Sequence, residues 1–332
     1  MTRWLGTYGL TLSLVGLIGH SAACAQTPQP ATQQSADRSN ADAQYTLGSM
    51  HASGRGVPQD FRQAEAWWRK AADQGHAEAQ HNLGVMYATG QGVPQDFTQA
   101  MAWYRQAADQ SHADAQFSLA LMYATGQGVP QDFRQAEAWW RKAADQGYAP
   151  AQFSLGNMYR VGRGVPQDFT QAVAWWRKAA DQGHADAQYN LGAMNATGQG
   201  VPQDDTRAVA WWRKAADQGY APARFSLGVM YENGQGVPQD FTQARAWYRQ
   251  AADQGHVDAQ YNLGVMYDLG QGVPQDYVEA HKWLSLATSS AARDTQKAYA
   301  SYRDATAQVM TRAQLREAQK RAADWRAAFE KR

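Results

Sequence analysis

Apolar residues recur along the chain in two alternating patterns, separated by short stretches that contain glycine and proline. From Ala149 to Val161, Ala151, Leu155 and Met158 fall at i, i+4 and i+7 with Tyr159 beside them, the period of a helix with one buried face. Gly162 ends that helix, because glycine takes the left-handed conformation of a C-cap at no steric cost. Gly164 loosens the turn, and Pro166 sits where no ladder hydrogen bond is needed. Asp168 is placed to cap a second helix, and Gln171 three residues on completes the form of a capping box. Ala172, Trp175, Trp176 and Ala179 carry the second apolar stripe, and Gly183 closes it.

The same grammar returns every 36 residues. Gly-Val-Pro-Gln-Asp occurs seven times, its proline at Pro58, Pro94, Pro130, Pro166, Pro202, Pro238 and Pro274. One helix pair cannot bury its own apolar face and leans on its neighbours, so the period predicts an all-α stack over residues 41–292. Such a stack offers a binding surface, not a reaction. With Ala41 as position 1, the eighth position is Gly48, Gly84, Ala120, Gly156, Gly192, Gly228 and Gly264. A mid-helix glycine costs roughly 0.5–1 kcal/mol against alanine, and close approach of another helix or of a second-helix tryptophan is the expected compensation. The series Trp67, Trp103, Trp139, Trp175, Trp211, Trp247 and Trp283 then reads as core cement.

The stretch Ala149–Gly183, Ala-x-Ala-Gln-x-x-Leu-Gly-x-Met-Tyr followed by Gly-Val-Pro-Gln-Asp and Ala-x-x-Trp, resembles the Sel1-like repeat, a relative of the tetratricopeptide repeat. The resemblance implies a right-handed α/α solenoid of antiparallel helix pairs. Its first helices would line the concave side, and in bacteria such proteins act as adaptors. Some periplasmic members are immunity proteins against secreted toxins, which makes that role an alternative. Some cysteine-rich members are described as β-lactamases, so a cell-wall or β-lactam hydrolase is a further alternative.

Composition narrows the setting. Arg3 precedes an apolar run from Leu10 to Ile18, and Ala23-Cys24-Ala25 supplies the small residues a signal peptidase reads, so residues 1–25 form an expected export signal cleaved near Ala25. The protein would then be periplasmic or secreted. Lipidation of Cys24 is the competing reading, against which Ser21 argues, since lipoprotein signals usually carry leucine there. Cys24 is the only cysteine, so the mature chain would hold no disulfide. Without Arg3, basic and acidic residues balance at 30 each, and no basic run suggests nucleic acid. No later segment is long and apolar enough to span a membrane. Residues 26–40, rich in Gln, Thr, Ser and Pro, read as a flexible leader. Residues 293–332 read as helical capping elements. Within them Thr311 with Gln314 starts a helix whose Leu315, Ala318, Ala322, Trp325 and Phe329 form a stripe that either closes the stack or pairs with a partner helix.

If the framework positions are structural, a protein or peptide partner contacts positions that face away from the core. Position 5 reads Tyr45, His81, Phe117, Phe153, Tyr189, Phe225 and Tyr261, rings that either form a binding ladder on the concave face or fill the seam between repeats. Positions 9 and 12 diverge, with Asn157 and Arg160 in the fourth repeat, Glu232 in the sixth and Asp268 in the seventh. Position 25, on the second helix, is also free, reading Glu65, Met101, Glu137, Val173, Val209, Arg245 and His281. In the fifth repeat Asn195 and Asp205 replace two aromatic residues, which reads as a hinge, a polar pocket or tolerated erosion. No serine-hydrolase elbow, Ser-x-x-Lys pair, His-Glu-x-x-His helix or phosphate loop occurs, and His76, His112, His184 and His256 recur one repeat or more apart. The expectation is a non-enzymatic scaffold with no cofactor and no metal.

Overall fold

The computed structural model describes residues 40–331. The export signal, Cys24 and the leader up to residue 39 lie outside the described residues. The leader's last residue, Asn40, is already the N-cap of the first helix, its side chain accepting from the Ala43 amide at 3.1 Å. Sixteen helices and no strand occur among the described residues.

Residues up to Tyr148 form one compact unit and those from Ala149 onward a second. The first unit holds three helix pairs: α1 (Ala41–Ser53) with α2 (Phe61–Asp73), α3 (Ala77–Thr89) with α4 (Phe97–Asp109), and α5 (Ala113–Thr125) with α6 (Phe133–Asp145). The second holds four: α7 (Ala149–Val161) with α8 (Phe169–Asp181), α9 (Ala185–Thr197) with α10 (Asp205–Asp217), α11 (Ala221–Asn233) with α12 (Phe241–Ala252), and α13 (Val257–Leu269) with α14 (Tyr277–Ser290). α15 (Arg293–Gln308) and α16 (Arg312–Phe329) follow and both pack on α14. Each unit is thus a stack of helix pairs with its core along the pair interfaces.

Within a pair, the glycine at position 8 decides how close the helices come. The side chain pressed onto it is not the Trp67 series but its successor at position 28: a Cβ on Gly48 would stand 2.5 Å from Trp68 Cδ1, and one on Gly84 2.5 Å from Tyr104 Cδ1. Because the indole lies so near the first helix, Trp68 Nε1 donates to the Tyr45 carbonyl at 3.2 Å and Trp212 Nε1 to that of Tyr189 at 3.1 Å. The exception proves the cause. Where the third repeat has Ala120, Trp140 Nε1 is buried without a partner.

The Gly-Val-Pro-Gln-Asp turn satisfies both helix ends it joins. Gly162 is left-handed at φ 76° and its N–H reaches the Met158 carbonyl at 2.8 Å. Gln167 Nε2 donates to the Arg160 carbonyl at 2.8 Å, an end that would otherwise stay orphaned. Asp168 caps α8 by accepting from the Gln171 amide at 3.0 Å. The reciprocal half of the expected box is not available, since the Asp168 N–H already donates to the Tyr159 carbonyl at 2.9 Å. That bond recurs in every repeat and ties the second helix to the end of the first. A full capping box does form at Thr311 and Gln314.

Successive repeats are joined by buried glutamines. Gln80 Nε2 donates to the Ala72 carbonyl at 3.0 Å, at the end of the preceding second helix, while its Oε1 accepts from Gln110 at 2.7 Å. The same arrangement holds at Gln116 and Gln188. In the sixth repeat Arg224 Nε makes the equivalent bond, to the Ala216 carbonyl at 3.1 Å. Gln260 lacks the lower partner, because Ser290 stands where the other repeats have glutamine, and its Oε1 is left unpaired.

Gly156→Ala tests the close approach. The added methyl must displace Trp176 from its bond to the Phe153 carbonyl at 3.3 Å. A loss of about 1–3 kcal/mol is expected in urea unfolding despite the gain in helix propensity.

Candidate functional site

The ring at position 5 lies over the residue that caps the next first helix. In the first unit Tyr45 stacks on His76 at 4.5 Å and His81 on His112 at 5.1 Å, while Phe117 meets Tyr148 at a tilt. In the second, Phe153 stacks on His184 at 4.6 Å, Tyr189 tilts onto Tyr220, and Phe225 stacks on His256 at 4.7 Å. Several also lean on the position-28 ring, as His81 does on Tyr104 at 5.6 Å. One side of each ring therefore belongs to the joint between repeats. Tyr189 is buried, and the other six are half-buried.

Three of the four histidines at these joints cap the following helix with their side chains, while His184 makes no such bond. His76 and His112 Nδ1 accept from the Ala79 and Ala115 amides at 3.2 Å, and His256 Nδ1 from Ala259 at 3.3 Å. An accepting Nδ1 requires the neutral imidazole with its proton on Nε2. Tyr148 and Tyr220 use the same place differently, donating their hydroxyls to Asp114 at 2.6 Å and Asp186 at 2.8 Å. Burial lowers the pKa of His184 and His256 from the ordinary histidine value. His81 is lowered to about 4 by burial, with His112 adding to it.

The acidic candidates are engaged internally. Glu232 accepts from the buried Tyr248 hydroxyl at 2.5 Å, and burial first, then this carboxylate, pushes the phenol up. Asp268 accepts from Tyr302 and Thr306, both at 3.1 Å. α15 also covers Tyr261, with Tyr299 stacked on it at 4.1 Å and Tyr302 edge-on at 5.9 Å. Tyr299 donates to Asp258 at 2.6 Å and so repeats, from a different helix, the contact that Tyr148 and Tyr220 make. α16 buries Ala318 and Ala322, and its Trp325 sits edge-on to Trp283 at 5.9 Å with Phe329 stacked behind it at 4.8 Å. Asn157 and Arg160, in contrast, are half-buried on α7, and neither side chain has a partner among the described residues.

The fifth repeat holds no open polar pocket at Asn195. That side chain is 1% exposed and its amide donates to the Leu191 carbonyl at 2.8 Å, inside its own helix. Asp205 opens α10, where a carboxylate suits the positive end of the helix dipole. Position-28 packing and the glutamine links went unread in the sequence. Their signal was present in the fixed spacing of Gln80 with Gln110 and of Gly84 with Tyr104, which only a three-dimensional pairing connects.

Stacked antiparallel helix pairs with paired turns and fixed joints define an α/α solenoid of the tetratricopeptide type. The model of the Sel1 repeat matches residues 41–76, 77–112, 113–148, 149–184, 185–220, 221–256 and 257–290, and the chain belongs to the Sel1 repeat family. It is similar to a Sel1 repeat protein from Oxalobacter formigenes, with 39% identity over 80% of this chain and 77% of that one and a TM-score of 0.68. A protective antigen of uropathogenic Escherichia coli that displays an SLR fold is 31% identical over 89% of this chain and 70% of that one, with a TM-score of 0.55. An immunity protein from Pseudomonas aeruginosa is more distant, at 24% identity over 64% of this chain and 81% of that one, with a TM-score of 0.40, a likeness that bears on neither chain's role. No curated protein matches significantly. Sel1 repeat proteins are generally non-catalytic scaffolds suited to protein–protein interaction. Among the described residues no helix is long and apolar enough to cross a membrane.

Two outcomes test these assignments. Because His81, His184 and His256 bind protons more weakly folded than unfolded, the stability they confer is present above pH 6.5 and is lost as pH falls toward their lowered values, about 4 for His81. His81→Phe, the residue found at Phe117, should remove about 2 kcal/mol of the loss between pH 7 and pH 5, read by thermal or urea unfolding at each pH. Glu232→Ala leaves the buried Tyr248 O–H without its acceptor, with an expected loss of about 1–3 kcal/mol in the same assay.

Proposed function

We propose that the chain is an exported, non-enzymatic scaffold that holds a protein or peptide segment against the first helices of its repeats. The observation that carries this reading is the contrast within one face. Position 5 rings are shared with the joints, and Glu232 and Asp268 are tied to Tyr248 and to α15. Asn157 and Arg160 project from α7 with no internal partner. A guanidinium with no internal carboxylate and a neighbouring amide suit a polypeptide's backbone and acidic groups. The half-buried rings of Phe153 and Phe225 add apolar contact of the kind that anchors interfaces. Export is supported by the charged residue, apolar run and small-residue site in residues 1–25.

Cross-linking of the protein in its own cells, followed by mass spectrometry, tests this directly. One dominant protein partner is expected, with capture falling at least tenfold in an Asn157→Ala, Arg160→Ala variant, which removes no internal bond. Unchanged capture would remove the partner from α7, and absence of any partner would sink the scaffold reading. N-terminal sequencing of the mature chain should begin near Gln26.

A further inference from the structure

Where the sixth and seventh repeats meet, two arginines of one helix stand together without the carboxylate that accompanies the equivalent arginine between the first and second repeats. Between the first and second repeats, one oxygen of Glu65 accepts from Arg69 Nε at 2.8 Å and Nη2 at 2.5 Å. The same Nη2 donates to the Tyr87 hydroxyl at 2.6 Å, and that hydroxyl lies 3.4 Å from the same carboxylate oxygen. Glu137 pairs with Arg141 in the same way in the third repeat. A carboxylate on position 25 thus neutralises the arginine at position 29, and in the first pair it also meets the tyrosine across the seam.

On α12 this carboxylate is absent and a second cation replaces it. Arg245 occupies position 25, one turn before Arg249, and Tyr267 on α13 occupies the place of Tyr87. Arg245, Ala246, Arg249 and Tyr267 line an open pocket of about 350 Å³. Arg249 turns toward Asp253 at 3.0 Å and lies over the Trp283 ring at 5.0 Å. Arg245 is half-buried and has no partner among the described residues. Elsewhere position 25 is glutamate, methionine, valine or histidine, so the doubled guanidinium belongs to this seam.

We infer that this pocket is a carboxylate-binding site, in which an acidic group from outside the chain takes the place that Glu65 fills between the first two repeats. Two guanidinium forks and a phenol supply several N–H and O–H donors, a set that matches a planar carboxylate. The carboxylate comes either from a small free acid or from an acidic side chain or C-terminus of a polypeptide. The site uses none of the first-helix residues assigned above, so its test is independent of that reading.

Isothermal titration of the full mature chain with succinate, with a hexaglutamate peptide and with sodium sulfate decides it. Saturable binding of succinate or the peptide is expected, weakened at least tenfold in Arg245→Glu. That variant recreates the internal pair of Glu65 and Arg69, and its thermal midpoint should match the parent's. Arg245→Met, which carries the second repeat's residue, should lose binding likewise and guards against a folding defect in the first variant. Peptide binding tenfold tighter than succinate supports a polypeptide source, and the reverse supports a free acid. No binding of either, binding unchanged in both variants, or sulfate bound as tightly as succinate would overturn the assignment.

Discussion

The contact between a glycine in the first helix and the flat ring at position 28 is the constraint on which the rest depends. It brings the two axes close enough for an indole N–H to reach a carbonyl of the facing helix, as Trp68 and Trp176 do. This bond satisfies a polar group that would otherwise be buried alone at a cost of about 1–3 kcal/mol. The helical cost of glycine is therefore offset inside the same pair. Ala120 shows the two halves separating: the helix gains propensity, and Trp140 loses its acceptor. At the last pair the ring is gone and Leu284 faces Gly264, which coincides with the point where regular stacking gives way to α15 and α16.

Once the pair distance is fixed, the joints follow. The end of each second helix exposes carbonyls that need donors, and the next first helix exposes amides that need acceptors. A buried glutamine answers the first need and a cap histidine the second, at His76, His112 and His256. The ring of that cap must then lie somewhere, and the position 5 ring of the preceding first helix is what it lies on. The aromatic ladder is thus partly a consequence of capping chemistry. α15 obeys the same rule with different means: Gln296 donates to the Thr288 carbonyl at 3.3 Å as the repeat glutamines do, and Tyr299 supplies the ring.

Helix positions were legible in the sequence because each boundary has a local chemical cause. Gly162, Asp168 and the apolar stripe of Ala151, Leu155 and Met158 need no tertiary information, and α7 and α8 fall where they predict. Pairings were legible only in kind. The spacing of Trp67 and Trp68 does not say which indole faces the glycine, since both lie near the apolar stripe and a rotation of one residue separates them. For the candidate site the sequence shows that position 12 diverges, yet whether Glu232 faces solvent depends on Tyr248, sixteen residues on, being tyrosine instead of tryptophan.

That last point reaches beyond one residue. In a repeat chain the neighbours of any position are the same residues counted again, so a side chain's freedom is decided by whether its partners changed with it. Glu232 and Tyr248 changed together and hydrogen-bond to each other, and Asp268 changed where Tyr302 and Thr306 arrive to meet it. Arg160, with Asn157 beside it, and Arg245 changed without an acidic partner. Nothing in the stack answers either guanidinium, and a half-buried cation without a counter-charge gains from any anion that reaches it. On the proposed reading, uncompensated deviation from the repeat, more than deviation itself, marks a binding position in this chain.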